Sequence, residues 1–276
     1  MVTPDPESAM HRRVLQLSDP HLVADPDGEV RQRLPLPLLR HGLSTALHQL
    51  RIEGTPPDLL LISGDLCHEE SWNGYVRLRE LLEGLEEPLP PVALLAGNHD
   101  HPHLLRSVLG RQTVVAPAIH PLGGWHLLLL DSHRPTQTAG WLGHTQLDWL
   151  EGWLQNGDGP VLVAVHHPPG PIGDSFFDTI ALRDGAELME RLGRCARVRG
   201  LVFGHVHQHW QGHAPGHPHL PMWGCPSTLR SFTPVQPCSL GRPDDPGGRL
   251  LELGPRGEIR QRLLRWSLPD SPTFTK

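Results

Sequence analysis

The sequence predicts one α/β domain, and three observations predict it. Short apolar runs alternate along the chain with amphipathic stretches of helical period, the pattern of strands joined by helices. Several runs, LLLL at 127–130 and VLVAV at 161–165 among them, are apolar at every position, as strands covered on both faces are. The 276 residues, 38% of them hydrophobic though only 5% are aromatic, suffice to bury a large core.

Taken in order, residues 1–11 are polar and proline-rich and read as a mobile tail. Strands are expected at 14–18, 59–63, 92–96, 126–131, 161–165 and 200–204. A helix is expected over 37–52, where Leu39, Leu43, Ala46, Leu47 and Leu50 fall on one stripe. Segments 75–85, 143–156 and 182–193 carry the same period. The run GGRLLELGPRGEIRQRLLRW (247–266) reads as two strands joined by a glycine-rich turn, hence a hairpin. Residues 267–276 are taken as a C-terminal tail. No internal repeat or composition break divides 12–266, so one domain is expected there.

Composition narrows the partners. Thirty acidic residues against 24 basic give a net charge of −6, and Lys276 is the one lysine. A chain of this sign has no general attraction for a polynucleotide, although one local site can still hold a small anion. Cys67, Cys195, Cys225 and Cys238 include no C-x-x-C pair, which suits buried thiols in a reducing compartment. The opening MVTPDPESAMHRR lacks the apolar core of a signal peptide, and no run of about 18 apolar residues offers a membrane span. A cytoplasmic protein without a membrane partner is expected, as monomer or homodimer.

The chemistry gathers behind the strands. Asp19-Pro20-His21 follows the first, Gly64-Asp65 the second and Gly97-Asn98-His99-Asp100 the third. His166-His167 follows VLVAV, and Gly204-His205-Val206-His207 follows GLVF. In open α/β sheets ligands collect beyond the carboxyl ends of strands. Carboxylate and imidazole without thiolate suits Mn, Fe, Zn or Co. Asp19, His21, Asp65, Asn98, His166, His205 and His207 make seven donors, too many for one ion with an open position and about right for two that share a carboxylate. Paired ions about 3.5–4 Å apart clamp the attacking and leaving oxygens of a displacement at phosphorus. With two carboxylates and a bridging hydroxide such a site carries about one positive charge, which draws a phosphodiester monoanion.

In order, the blocks DPH, GD, GNHD, HHPP and GHVH resemble the five-block signature of calcineurin-like metallophosphoesterases, over about residues 12–266. The stretches 127–135, 166–188 and 225–234 are further similar to bacterial class III 3',5'-cyclic AMP phosphodiesterases. The resemblance implies a four-layer α-β-β-α fold, with two packed mixed sheets flanked by helices. It implies that Asp19, His21 and His207 hold one metal and that Asn98, His166 and His205 hold another, Asp65 bridging the two. Iron and manganese are the expected metals, with zinc or cobalt as alternatives. Asn98, His99 and His207 are the expected substrate contacts, His99 beside the phosphate and Asp65 and His99 catalytic. The implied reaction is attack of a metal-bridging hydroxide on the phosphorus of a cyclic nucleotide, most simply 3',5'-cyclic AMP giving 5'-AMP. Other members of such a superfamily take other phosphodiesters, nucleotide pyrophosphates or phosphomonoesters. A non-catalytic scaffold is a third reading, opposed by the complete ligand set.

Other residues have plainer explanations. His209, His213, His217 and His219 lie in a Gly/Pro-rich stretch and are expected on an exposed loop near the site mouth. Trp149 and Trp153 are expected in the core. His167 is expected to pack beside the site, and Asp184 either approaches it or starts a helix. Cys67 and His68 follow the bridging aspartate closely, with no role legible in the sequence.

Overall fold

The computed structural model describes residues 11–268 and builds them around two six-stranded sheets. In spatial order the first holds β12 (Ile259–Arg265), β11 (Gly247–Leu253), β1 (Arg12–Leu17), β2 (Leu59–Ile62), β3 (Val92–Leu94) and β4 (Val114–Val115). The second holds β5 (Ala118–Leu122), β6 (Trp125–Leu129), β7 (Val161–Ala164), β8 (Val198–Phe203), β10 (His217–Gly224) and β9 (Trp210–Ala214). β1 to β4 run parallel, as do β6, β7, β8 and β10, while β11, β12, β5 and β9 are antiparallel additions.

The apolar runs explain the layering. Alternate side chains of a strand face opposite ways, so in β2 Leu59 and Leu61 enter the core between the sheets while Leu60 and Ile62 face outward. Likewise Leu162 and Ala164 of β7 face the other sheet, and Val161 and Val163 face the helices on its far side. Helices α1 (Pro35–Ile52), α2 (Trp72–Glu83) and α3 (Pro102–Leu109) cover the first sheet through Leu39, Leu43, Leu78 and Leu105. Helices α4 (His144–Asn156) and α5 (Gly185–Gly193) cover the second through Leu147, Leu150, Leu188 and Leu192. The order is α-β-β-α, as the sequence resemblance implies. Helix starts follow local chemistry. Pro35 and Pro102 open α1 and α3, where a missing N–H costs nothing, and the Ser71 hydroxyl accepts the Gly74 N–H at the start of α2.

Several expectations need correction. Helix α3 and strands β4, β5, β9 and β10 were not legible in the sequence. The loop expected for His213, His217 and His219 is the β9–β10 hairpin, and His209 lies in the turn just before it. Its run of His, Gly and Pro hides the period-2 alternation, and its register shifts between His217 and Pro221. His213 and His219 are exposed on it, and His217 pairs with Glu190 at 3.0 Å. His209 is buried, and its Nδ1 accepts from Arg249 Nη2 at 3.0 Å. Burial, then the charges of Arg249 and Arg265, pull its pKa down to about 4, so it stays a neutral acceptor. Trp153 packs against the core, but Trp149 is exposed. The expected tails lie outside the described residues, except for His11, Ser267 and Leu268.

Arg249, on β11, is fully buried and ties the sheets together beside the site. It donates to the carbonyls of Gly224 (2.7 Å) and Trp210 (3.4 Å) in the second sheet and to Gln261 Oε1 on β12. Burial pulls its pKa down to about 10, which leaves it a cation at neutral pH. Replacing it with alanine strands those acceptors and opens a cavity, so Arg249→Ala should lose about 3 kcal/mol or more. Arg249→Lys should recover only part, because an ammonium lacks the planar fork. Urea unfolding checks both, and an unchanged midpoint in the alanine variant would contradict this role.

Candidate metal centre

The parallel strands of both sheets deliver their polar residues to one edge. β1, β2 and β3 lead within two to four residues to Asp19, Asp65 and Asn98, and β7 and β8 lead to His166 and His205. The turns after them interlock. Asp19 N–H donates to the Gly64 carbonyl (3.0 Å), His21 N–H to the Asp65 carbonyl (2.9 Å), and Gly204 N–H to the His166 carbonyl (3.0 Å). The His205 N–H donates to the Asp19 carboxylate at 3.1 Å, which joins the two sheets across the site.

The backbone is bent to aim these groups. Asp19, His21, Asp65, His205 and His207 all have φ between 49° and 67°. That left-handed conformation is uncommon for residues with a Cβ and costs of order 1–3 kcal/mol each. In the D-x-H and H-x-H blocks it recurs at first and third positions, turning both side chains inward. Gly97 and Gly204 are required by close approach. A Cβ at Gly97 would lie 2.1 Å from Asp65 Oδ1, and one at Gly204 would lie 2.1 Å from Ser18 Oγ.

The result is a buried cluster whose lone pairs outnumber its protons. His21 Nε2 and His207 Nε2 stand 3.1 Å apart, a separation that needs a proton or a cation between them. His207 Nε2 is also 3.2 Å from Asp19 Oδ1, and His21 Nε2 is 3.7 Å from Asp65 Oδ2. On the other side of Asp65, His166 Nε2 stands 3.5 Å from Oδ1. Three buried atoms here have no hydrogen-bond partner: Asn98 Oδ1, His166 Nε2 and His205 Nε2. Buried polar atoms are rarely left so, and a cation satisfies all three. The tautomers fit. His166 Nδ1 donates to the Ser63 carbonyl (2.8 Å) and His207 Nδ1 to the Arg230 carbonyl (3.3 Å), which leaves each Nε2 free to bind.

The field suits cations as well. Burial, and then neighbouring histidines, hold His205 well below the usual imidazole range. Burial likewise holds His21 low, against the attraction of Asp65. Burial opposes the Asp65 charge, but His166 and then His21 outweigh it and hold its carboxyl below the usual range. Burial opposes charge on His166 too, yet Asp65 and then Asp19 raise it to about 9. Two groups of donors lie close enough for ions: Asp19, His21, Asp65 and His207 in one, His166, His167 and His205 in the other. A third joins His21 with His68 and His99.

The profile of the calcineurin-like phosphoesterase family matches residues 12–209. The chain belongs to this family. It is 51% identical over 262 residues to a probable cyclic nucleotide phosphodiesterase of Synechococcus sp. (strain WH7803), covering 92% of this chain and 97% of that one. It is 32% identical over 256 residues to the 3',5'-cyclic adenosine monophosphate phosphodiesterase CpdA of Pseudomonas aeruginosa, covering 91% and 89%. Its fold is similar to a dimetal phosphatase from Danio rerio at 16% identity and TM-score 0.61, covering 95% of this chain and all of that one.

Around the cluster of this phosphoesterase stand His99, expected beside the phosphate, and residues whose part sequence reading left open. Asp100, the last residue of GNHD, is buried and accepts the N–H groups of Gly97 (2.8 Å), Leu66 (3.0 Å) and Cys67 (3.1 Å) and the Tyr75 hydroxyl (3.0 Å). It thereby clamps the turns after β2 and β3 together. Burial, then Asp65, raise its pKa to about 6. His99 places its N–H on Asp65 Oδ1 (2.9 Å) and its Nδ1 on the His68 carbonyl (3.0 Å), so Nε2 remains free. The His68 ring stacks on His99 with centroids 5.0 Å apart. His167 packs against His205, ring centroids 4.6 Å apart, but both its ring nitrogens are engaged, with Ser132 Oγ (2.8 Å) and the Thr138 carbonyl (3.0 Å), and burial pulls it down to about 3. Asp184 holds the Leu142 and Gly143 N–H groups rather than any member of the cluster. Asp100 and His99 share a legible signal, their place in GNHD. The rest are set by contacts distant in the chain.

The Gly97 contact gives a direct test. Gly97→Ala must push Asp65 or His166 aside, so its divalent-ion affinity should fall by at least about tenfold. Titration of metal-free protein with Mn²⁺, followed by calorimetry, checks this. Wild-type affinity in Gly97→Ala would show that this geometry does not control the cluster.

Proposed function

We propose that the chain is a dinuclear cyclic-nucleotide phosphodiesterase, with 3',5'-cyclic AMP the substrate and 5'-AMP the product. The observation that carries this is the paired donor cluster of Asp19, His21, Asp65 and His207 beside the orphaned Asn98 Oδ1, His166 Nε2 and His205 Nε2. The full-length likeness to curated relatives named for cyclic nucleotides supports the substrate.

Asp19, His21 and His207 are assigned to one ion and Asn98, His166 and His205 to the other, with Asp65 shared. Oxygen and imidazole donors without thiolate favour iron or manganese over softer ions, and zinc or cobalt would also be accepted. When bound, such a pair supplies an activated water and charge neutralisation at the phosphate oxygens. The protein's own residues do the rest. The left-handed turns hold the carboxylates and imidazoles in place before substrate arrives, so no reorganisation is needed during reaction. Asn98 and His207 border the phosphate position. His99 has Nδ1–H on the His68 carbonyl, which leaves Nε2 available, and we assign that nitrogen to the leaving oxygen. Water adds to phosphorus and releases a proton to solvent, the P–O3' bond breaks, and O3' takes a proton from Nε2 of His99 in its imidazolium form, which solvent then reprotonates. Four free cysteines without a disulfide suit a reducing cytoplasm, where we place the enzyme.

The test is turnover of a substrate panel by protein of measured metal content: 3',5'-cyclic AMP, 2',3'-cyclic AMP, a glycerophosphodiester, a nucleotide pyrophosphate and p-nitrophenyl phosphate. We expect the highest kcat/KM with 3',5'-cyclic AMP; preference for the monoester or pyrophosphate would overturn the substrate assignment. His99→Ala should lower kcat by about 10²–10⁴ with KM little changed, because the proton is needed only in the transition state.

A further inference from the structure

Beyond the metal cluster, the mouth of the site continues as a stack of rings capped by a cation. The His207 ring lies flat on Phe232, centroids 4.7 Å apart and planes 5° from parallel. On Phe232 sits the guanidinium of Arg31, 4.9 Å from the ring centre. Phe177 packs against both Phe232 and His205, each at 5.7 Å. Phe176, against Phe177, is 64% exposed.

Arg31 is held there by its backbone. Arg31 and Gln32 both adopt left-handed φ, 52° and 62°, in a turn closed by the Val30–Arg33 bridge. Arg33 is occupied, by the Leu229 carbonyl (2.8 Å) and Asp244 (3.2 Å). Arg31 has no carboxylate partner among the described residues and is exposed to solvent. A fixed planar cation with an open face, one ring away from a candidate metal ligand, is suited to stack on a heterocycle whose phosphate lies in the cluster.

We propose that Arg31 is a substrate-contacting residue, the outer face of its guanidinium, backed by Phe232, forming the platform for the nucleobase. This rests on the cyclic-nucleotide reading and assigns the residues that read the non-phosphate half. The opposite flank is a less suitable platform. A 380 Å³ cavity there, lined by Glu70, His101, His103, Arg106, Asp131 and His133, presents acids and bases together and no aromatic face beyond imidazoles.

The experiment is calorimetric binding of 5'-AMP and of ribose 5-phosphate, which lacks the base, to metal-loaded wild type, Arg31→Lys and Arg31→Ala. In the wild type 5'-AMP should bind about tenfold tighter, the order expected of one stacked base. Arg31→Ala should reduce this advantage to about twofold or less, and Arg31→Lys should restore little, because an ammonium keeps the charge but not the plane. An unchanged advantage in Arg31→Ala overturns the subsite. So does a loss that falls equally on both ligands and is rescued by lysine, which would mark Arg31 as a phosphate contact instead. Failure of the underlying reading looks different: wild type would hydrolyse bis(p-nitrophenyl) phosphate but not 3',5'-cyclic AMP, and would bind the two ligands alike.

Discussion

The structure turns on the 3.1 Å separation of His21 Nε2 and His207 Nε2, beside two buried carboxylates. Two bare imidazole lone pairs do not approach so closely: either one ring keeps its proton on Nε2 or a cation stands between them. Burial holds His21 and His205 well below the ordinary imidazole range, so neutral lone pairs face inward. A divalent cation resolves the conflict, because it binds the neutral form and meets the field of Asp19 and Asp65. The same argument covers the orphaned atoms of Asn98, His166 and His205 across Asp65. The site is thus a set of donors held together at a cost, stabilised by what it binds.

The fold bears that cost elsewhere. Both faces of each sheet are buried, by the partner sheet on one side and helices on the other, so the strand frames are stiff. Strained turns can then be fixed at their carboxyl ends. Asp100 clamps two of those turns through four hydrogen bonds, and Arg249 fastens the sheets where the β9–β10 hairpin begins. Gly97 and Gly204 let the turns approach to distances no Cβ permits. Donors held this rigidly are preset for cations and need no rearrangement to bind them.

Much of this was legible in the sequence because it is local. Continuous apolar runs place β2, β6 and β7 within a residue or two, and each polar block sits immediately behind its strand. The helical stripe of α1 is buried at all five expected positions. What escaped was set by distant contacts. The hairpin of β9 and β10 has no clean alternation, so His209 read as a loop residue although Arg249, 40 residues away, buries it. The left-handed turns leave only a weak trace in the sequence, since aspartate and histidine tolerate that conformation better than most residues with a Cβ yet adopt it far less often than glycine. The Arg31–Phe232 pair joins segments 201 residues apart. His68 and His167 are near the cluster by adjacency, but which way each ring turns depends on acceptors elsewhere in the fold.

Metal content per folded chain tests the central claim most directly. The protein should be purified without added metal, reconstituted with excess Mn²⁺, desalted and measured by elemental analysis. The account predicts two ions per chain, a number unchanged when the exposed hairpin histidines His213 and His219 are replaced by glutamine. Retention of one ion or none, or a content that rises above two and falls with those replacements, would contradict it.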